Sequence, residues 1–189
     1  MKLAWFIAGA ALAACAVVQA QAASTTGLAI ADPGLKAARR LEVSSSKIAS
    51  GRQIPERYTS YGESISPPLK WGKGPYGTRS FAVLVEDPDA PTPTPFQHWL
   101  IWNIPASDHR LAEGAPPASA QQGKLMLVNR VGYMGPRPPP GPAHHYHFQV
   151  FALDRSLDLE SGADRDALVD AMKGHVLASG ELVASFAKK

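Results

Sequence analysis

The stretch Ser80–Pro91, SFAVLVEDPDAP, decides the fold. Ser80 to Val85 is apolar at nearly every position and β-branched at two, so it reads as a strand buried on both faces. Glu86 and Asp87 therefore arrive at the end of a buried element. A carboxylate there must be paired, hydrogen-bonded or set at the lip of a cavity, because stranding it in apolar surroundings costs several kcal/mol or forces its protonation. Pro88 and Pro91 then stop the hydrogen-bond ladder and stiffen the exit.

Working outward, His98–Ile104 (HWLIWNI) reads as a second buried strand, whose alternation predicts His98, Leu100, Trp102 and Ile104 on one face. Two such strands side by side bring an acid and a histidine close together. From these residues alone the pair reads equally as a site or as a turn-capping aspartate beside a core histidine. His144–Leu153 (HHYHFQVFAL) is the third strong strand. Its alternation places His144, Tyr146, Phe148 and Val150 on one face and His145, His147, Gln149 and Phe151 on the other. His145 and His147 form an HxH pair of the kind that ligates zinc on a strand, whereas His144 and Tyr146 suit hydrogen bonding into a pocket. Between strands lies Gly132–Pro142 (GYMGPRPPPGP), best read as an ordered rim. Five of the eight residues from Gly135 to Pro142 are prolines, so Gly135 and Arg137 are the backbone donors expected for an anion held there.

At the N-terminus, Met1 and Lys2 precede an apolar run, Leu3 to Val18, and Ala20-Gln21-Ala22 supplies a small-x-small cleavage pattern; residues 1–22 read as a secretory signal peptide. Leu12-Ala13-Ala14-Cys15 offers a second route, lipid attachment at Cys15, ranked lower because the residues after it stay apolar. Cys15 is the only cysteine, so ordinary cleavage leaves no disulfide, thiol nucleophile or cysteine metal site. The roughly 165 remaining residues suffice for one domain held by its core. The formal charge of +3 becomes +2 without Lys2, which gives no argument for nucleic acid, and Arg39 with Arg40 is the only adjacent basic pair. Residues 23–40 read as a linker or loose segment, with the fold beginning near Leu41 and a first strand within Leu41–Ile48. Gly62–Trp71 is an extended loop anchored by Leu69 and Trp71. Gly72–Gly77 (GKGPYG) satisfies GxGxxG, but it contains Pro75 and runs into a strand rather than opening a helix, so it reads as a turn. Ala106–Gln122 is a surface excursion, Lys124–Val128 a short strand, Asp164 or Ser161 the cap of a helix running through Gly174, and Glu181–Phe186 a final strand. His175 reads as a core or boundary histidine.

The order IASGRQIPERYT, GESISPPLKW, VEDPDAP, HWLIWNIPA, GYMGPRPPPG, HHYHFQVFALD, GHVLASGELV resembles the phosphatidylethanolamine-binding protein family, in its bacterial Raf kinase inhibitor-like branch, from about Ile48 to the C-terminus. The resemblance implies a mainly β domain over residues 41–189, with a large central antiparallel sheet faced by a smaller sheet and a few peripheral helices. It also implies a small anion pocket in which Asp87 is the acid, Pro91 shapes a wall, His98 donates, Gly135, Arg137 and Pro138 form the rim, and His144 and Tyr146 complete the polar set. The sequence departs from the family pattern at Arg137, where a small residue is frequent, at His145, which replaces a common arginine, and across Leu125–Val131, which lacks an Asn-Asp-Phe-Gly-like run.

Three functions compete. The preferred one is non-catalytic binding of a phosphate-bearing small molecule or phospholipid head group by a periplasmic or secreted protein, with no cofactor, no metal and no catalytic residue. The second is a protein inhibitor or signalling partner of a kinase or protease. The third is a hydrolase using zinc on His145 and His147, or an acid–base catalyst using Asp87 and His98, against which the chain offers no GxSxG elbow, HExxH helix or P-loop.

Overall fold

In the computed structural model, which describes residues 27–125 and 128–188, eleven strands and one α-helix follow one another along the chain. They are β1 (Arg39–Arg40), β2 (Val43–Ser44), β3 (Leu69–Trp71), β4 (Ser80–Asp87), β5 (Phe96–Pro105), β6 (Arg110–Leu111), β7 (Gln121–Gln122), β8 (Lys124–Leu125), β9 (Arg130–Val131), β10 (His144–Leu153), α1 (Arg165–Met172) and β11 (Val176–Phe186). Six strands form a large sheet in the order β1-β11-β10-β4-β5-β7, antiparallel throughout except that β1 runs parallel to β11. A three-stranded sheet, β2-β3-β6, faces it, and β8 and β9 make a separate two-stranded pair. The expected mainly β architecture, a large central sheet faced by a smaller one, is the one observed; the parallel edge is the detail that the sequence did not reveal. Residues 1–22, read above as a signal peptide, and Cys15 among them lie outside the described residues. No described helix is long and apolar enough to cross a membrane.

The large sheet divides two cores. On one face Phe81, Val83, Val85, Trp99, Ile101, Tyr146, Phe148 and Val150 pack against Leu69, Trp71 and Leu111 of the small sheet. On the other, Ala82, Leu84, Leu100, Trp102 and Phe151 pack under Leu35, Leu168, Val169 and Met172. β4 is buried at all eight positions because both of its faces are covered. The alternation expected for β10 holds, with Tyr146, Phe148 and Val150 facing the sandwich core and Phe151 the helical side. In β5 it does not hold. Val85 pairs with Trp99 but Glu86 with Gln97, so His98 is an extra residue, and a second irregularity lies where Asn103 has φ 56°. These bulges turn His98 and Ile104 to the sandwich side, away from Leu100 and Trp102.

The N-terminal segment corrects a second expectation. From Gly27 onward the stretch read as loose is built into the domain: Leu28, Ala29 and Leu35 are buried, two short 3-10 turns cover Ala29–Ala31 and Pro33–Leu35, and β1 joins the sheet edge. The cause is Glu86. Its fully buried carboxylate accepts from the Ala29 N–H at 2.9 Å and from Gln149 Nε2 at 2.7 Å, and it ion-pairs with Arg165 at the start of α1. Gln149 Oε1 accepts from the Ile30 N–H at 2.6 Å, and Arg165 Nη2 donates to the Gly27 carbonyl at 2.6 Å. One buried acid thus ties the leading segment, the sheet and the helix together, as its burial requires. Asp164 caps α1 as expected, its side chain accepting from the Ala167 N–H at 3.0 Å. Pro75–Thr78 closes the turn read from GKGPYG, with a Thr78 N–H to Pro75 carbonyl bond of 3.1 Å. The surface excursion after Ala106 contains β6 and β7, two residues each and too short to show a period.

Candidate functional site

At the end of β4 the strand period of two separates neighbouring acids, Glu86 toward the helical side and Asp87 toward the sandwich side. Asp87 is 3% exposed, and its two oxygens have different partners. Oδ1 accepts from the Asp89 N–H at 2.9 Å, closing the turn through Pro88, and Oδ2 accepts from His144 Nδ1 at 2.8 Å. β10 delivers His144 and Tyr146 to this end, and the bulge in β5 brings in His98, whose ring stands edge-on to Tyr146 with centroids 5.1 Å apart at 77°. Phe96 packs on the other side of His98 at 5.0 Å. Asp87, His98, His144 and Tyr146 therefore converge as the sequence reading expected, although His98 arrives by a bulge rather than by simple alternation.

The electrostatics of His98 follow from its burial. Burial pulls His98 below the ordinary histidine range, outweighing the Met134 carbonyl and Asp87, which favour the cation; the neighbouring His144 works in the same direction as burial. His98 Nδ1 lies 2.8 Å from the Met134 carbonyl oxygen, which can only accept, so Nδ1 carries the proton and Nε2 of the neutral ring carries the lone pair. The Tyr146 hydroxyl is buried with no hydrogen-bond partner among the described residues. Burial, reinforced by Asp87, holds the phenol well above its ordinary range, so it is a donor without an acceptor.

The proline-dense rim is ordered, by contacts that the sequence did not disclose. It is laced to the Tyr58–Ser64 loop: Ser60 N–H donates to the Pro136 carbonyl at 2.9 Å, Ser60 Oγ to the Gly135 carbonyl at 2.8 Å, and the Tyr61 hydroxyl to the Pro138 carbonyl at 2.7 Å. Gly135 is not the free anion donor it was expected to be, because its N–H donates to Ser64 Oγ at 2.9 Å. It is glycine for a packing reason. A Cβ there would lie 2.5 Å from the Thr59 carbonyl carbon and 2.6 Å from the Tyr58 oxygen. Arg137 is exposed and makes no ion pair among the described residues; Pro138 is buried, and Pro91 is exposed in the bend beyond Asp87. The residues that sequence reasoning missed are Met134, whose carbonyl sets the His98 tautomer, and Ser60, Tyr61 and Ser64, which hold the rim. Met134 and Ser64 fall inside the quoted stretches GYMGPRPPPG and GESISPPLKW, but nothing in their residue type marks these roles.

The HxH pair does not converge. His145 Nδ1 donates to Asp89 at 2.7 Å, while His147 Nδ1 donates to Glu181 at 2.8 Å. Among the described residues no group of three or more metal-ligating side chains forms around them. His175 sits beyond α1 and pairs with Asp154 at 3.0 Å. Two surface depressions, of about 680 and 720 Å³, are lined by Lys70, Asp108 and Arg110 and by Lys73, Tyr76 and Arg79, away from the Asp87 end of β4.

The sequence profile described as phosphatidylethanolamine-binding protein matches residues 44–187. A UPF0098 protein of Pyrococcus horikoshii is 41% identical over 152 residues, covering 77% of this chain and 76% of its own. A UPF0098 protein of Methanothermobacter thermautotrophicus is 43% identical over 138 residues, covering 71% and 90%. Among solved structures, a phosphatidylethanolamine-binding protein homologue of Chlamydia trachomatis superposes with a TM-score of 0.74 at 35% identity, over 80% of this chain and 99% of its own. Escherichia coli YbcL, described as a member of the mammalian family, superposes with a TM-score of 0.72 at 31% identity, over 79% and 99%. The motif order, the two facing sheets and these likenesses agree: the chain belongs to the phosphatidylethanolamine-binding protein family.

Proposed function

We propose that this protein is an exported, non-catalytic binding protein for a phosphate-bearing small molecule or phospholipid head group, held at the Asp87 end of β4. One observation carries the reading: the buried Tyr146 hydroxyl lacks an acceptor at the point where His98, His144 and Asp87 converge. An orphaned buried hydroxyl costs about 1–3 kcal/mol, which a ligand oxygen would relieve. Asp87 orients His144, and its carboxylate suits a cationic part of the ligand, such as an ethanolamine ammonium. Export rests on the apolar run Leu3–Val18 and the cleavage pattern after it.

The test is an NMR titration of the histidine ring signals of the mature protein at pH 6, with phosphoethanolamine and with inorganic phosphate, in the presence of a chelator. Saturable shifts at His98 and His144, lost in His98→Ala, are the expected result. Shifts confined to His145 and His147, or none at all, would overturn it.

A further inference from the structure

The converging groups are mismatched to a fully ionised phosphate, and the mismatch has a definite sign. Asp87 brings a negative charge and acceptor oxygens. His98 is fixed by the Met134 carbonyl with its proton on Nδ1, so the neutral ring offers only the Nε2 lone pair, and that atom has no hydrogen-bond partner among the described residues. His144 donates through Nδ1 to Asp87, which leaves Nε2 as an acceptor whenever that ring is neutral. Among the described side chains buried here, the one uncommitted donor is the Tyr146 hydroxyl. The nearby ionisable groups do not reverse this balance. Tyr61 and Tyr133 are neutral phenols engaged on the Pro138 and Tyr58 carbonyls. Asp89 adds a second carboxylate, bonded to His145. Arg165 is committed to Glu86 and the Gly27 carbonyl, and Arg137 stands exposed on the rim. Against Asp87, His98, His144 and Tyr146 alone, with both rings neutral, a phosphate dianion would meet one donor, two lone pairs and a carboxylate.

We propose, building on the function above, that the site takes an oxyanion only together with a proton, about one per anion bound. The proton sits between the ligand and an imidazole Nε2, either as a P–O–H donating to the lone pair or as an N–H donating to a phosphate oxygen. Both descriptions have the same stoichiometry, and both turn an acceptor pair into a hydrogen bond. The preferred ligand state is thus a phosphate monoanion beside a neutral imidazole or its equivalent. Above the ligand's second ionisation the proton must be drawn from solvent, so affinity falls about tenfold for each pH unit.

Calorimetric titration of the mature protein with phosphoethanolamine at pH 8, in two buffers of different ionisation enthalpy, reads the proton count directly. The expected result is an observed heat that scales with buffer ionisation enthalpy at close to one proton taken up per ligand, with a dissociation constant about tenfold larger at pH 9 than at pH 8. Saturable binding with the same heat in both buffers and no change between these pH values overturns the proton coupling alone. No saturable heat in any buffer, with no ring shifts at pH 6, overturns the binding function and this inference with it. Ring nitrogen NMR gives an independent reading: His98 Nε2 should be unprotonated in the free protein at pH 8, and a protonated Nε2 without ligand would contradict the premise.

Discussion

Replacing Tyr146 by phenylalanine separates stability from function with opposite signs. The substitution removes one oxygen and keeps the ring, so the edge-on contact with His98 and the packing of the sandwich core are retained. In the folded protein that oxygen is buried and has no hydrogen-bond partner among the described residues, whereas in the unfolded chain it is hydrated. Its burial costs about 1–3 kcal/mol, so Tyr146→Phe is expected to stabilise the free protein by about that amount. For a domain of this size each kcal/mol moves the melting temperature by about 2–4 °C, giving a rise of about 2–12 °C in scanning calorimetry without ligand. Binding should move the other way. A hydrogen bond to a charged phosphate oxygen is worth about 1.5–3 kcal/mol, so the variant should bind phosphoethanolamine about ten- to a hundredfold more weakly. A melting temperature that falls by more than about 2 °C would show that the hydroxyl already has a partner, such as an ordered water, and would refute the reasoning from its isolation.

Glu86→Ala removes the acceptor of Ala29, Gln149 and Arg165 together, and is expected to cost about 3–5 kcal/mol in urea unfolding; combined with Arg165→Ala the loss should be well short of additive. Gly135→Ala drives a Cβ into the Thr59 backbone and should cost about 1–3 kcal/mol, read as a lower denaturation midpoint, with the Tyr61 to Pro138 contact loosened. Because burial lowers the His98 pKa in the folded state while the unfolded chain keeps a value of about 6.5, the unfolded state binds more protons below that pH. Stability is therefore lost as pH falls from about 6.5 through the folded value, and His98→Gln should flatten the profile between pH 7 and 5. An unchanged profile in that variant would mean that His98 is not the neutral group described.

How much of this was legible in the sequence depended on the range of the interaction. β4, β5 and β10 are long, apolar and flanked by prolines or turn residues, so the sheet centre could be read directly. The side-chain faces of β10 were legible because no bulge interrupts it between His144 and Phe151. Those of β5 were not, since the bulge at His98 is a relation between two strands and leaves no trace in either alone. The small sheet has strands of two or three residues and was visible only as the anchors Leu69 and Trp71. Residues 27–40 looked loose because the bonds that tie Gly27, Ala29 and Ile30 to the domain run to Arg165, Glu86 and Gln149, more than fifty positions away. At the site, the titratable side chains were found because their chemistry is written in their identity. The Met134 carbonyl was not, since a backbone oxygen belongs to every residue and only the fold selects one.

Glu86 and Asp87 show why this end of the sheet can carry a binding site without weakening the domain. A single acid at the end of a buried strand would have to serve both the core and the pocket, and any ligand that altered its charge would loosen the fold. Two adjacent acids divide the work, because a strand sends neighbouring side chains to opposite faces. Glu86 is enclosed by an arginine, an amide and a backbone N–H, which satisfy its oxygens and secure the N-terminal segment and α1 to the sheet. Asp87 is held on one oxygen by its own turn and on the other by an imidazole, so its surroundings can respond to a ligand through His144. The bulge then adds a second imidazole from β5 by displacing one side chain, while Trp99 and Ile101 beyond it remain in the core. The acceptor-rich character of this end of the sheet follows from this arrangement: Asp87 aligns one histidine and a backbone carbonyl aligns the other, so on the proposed reading the donor that completes an oxyanion's shell would have to arrive as a proton.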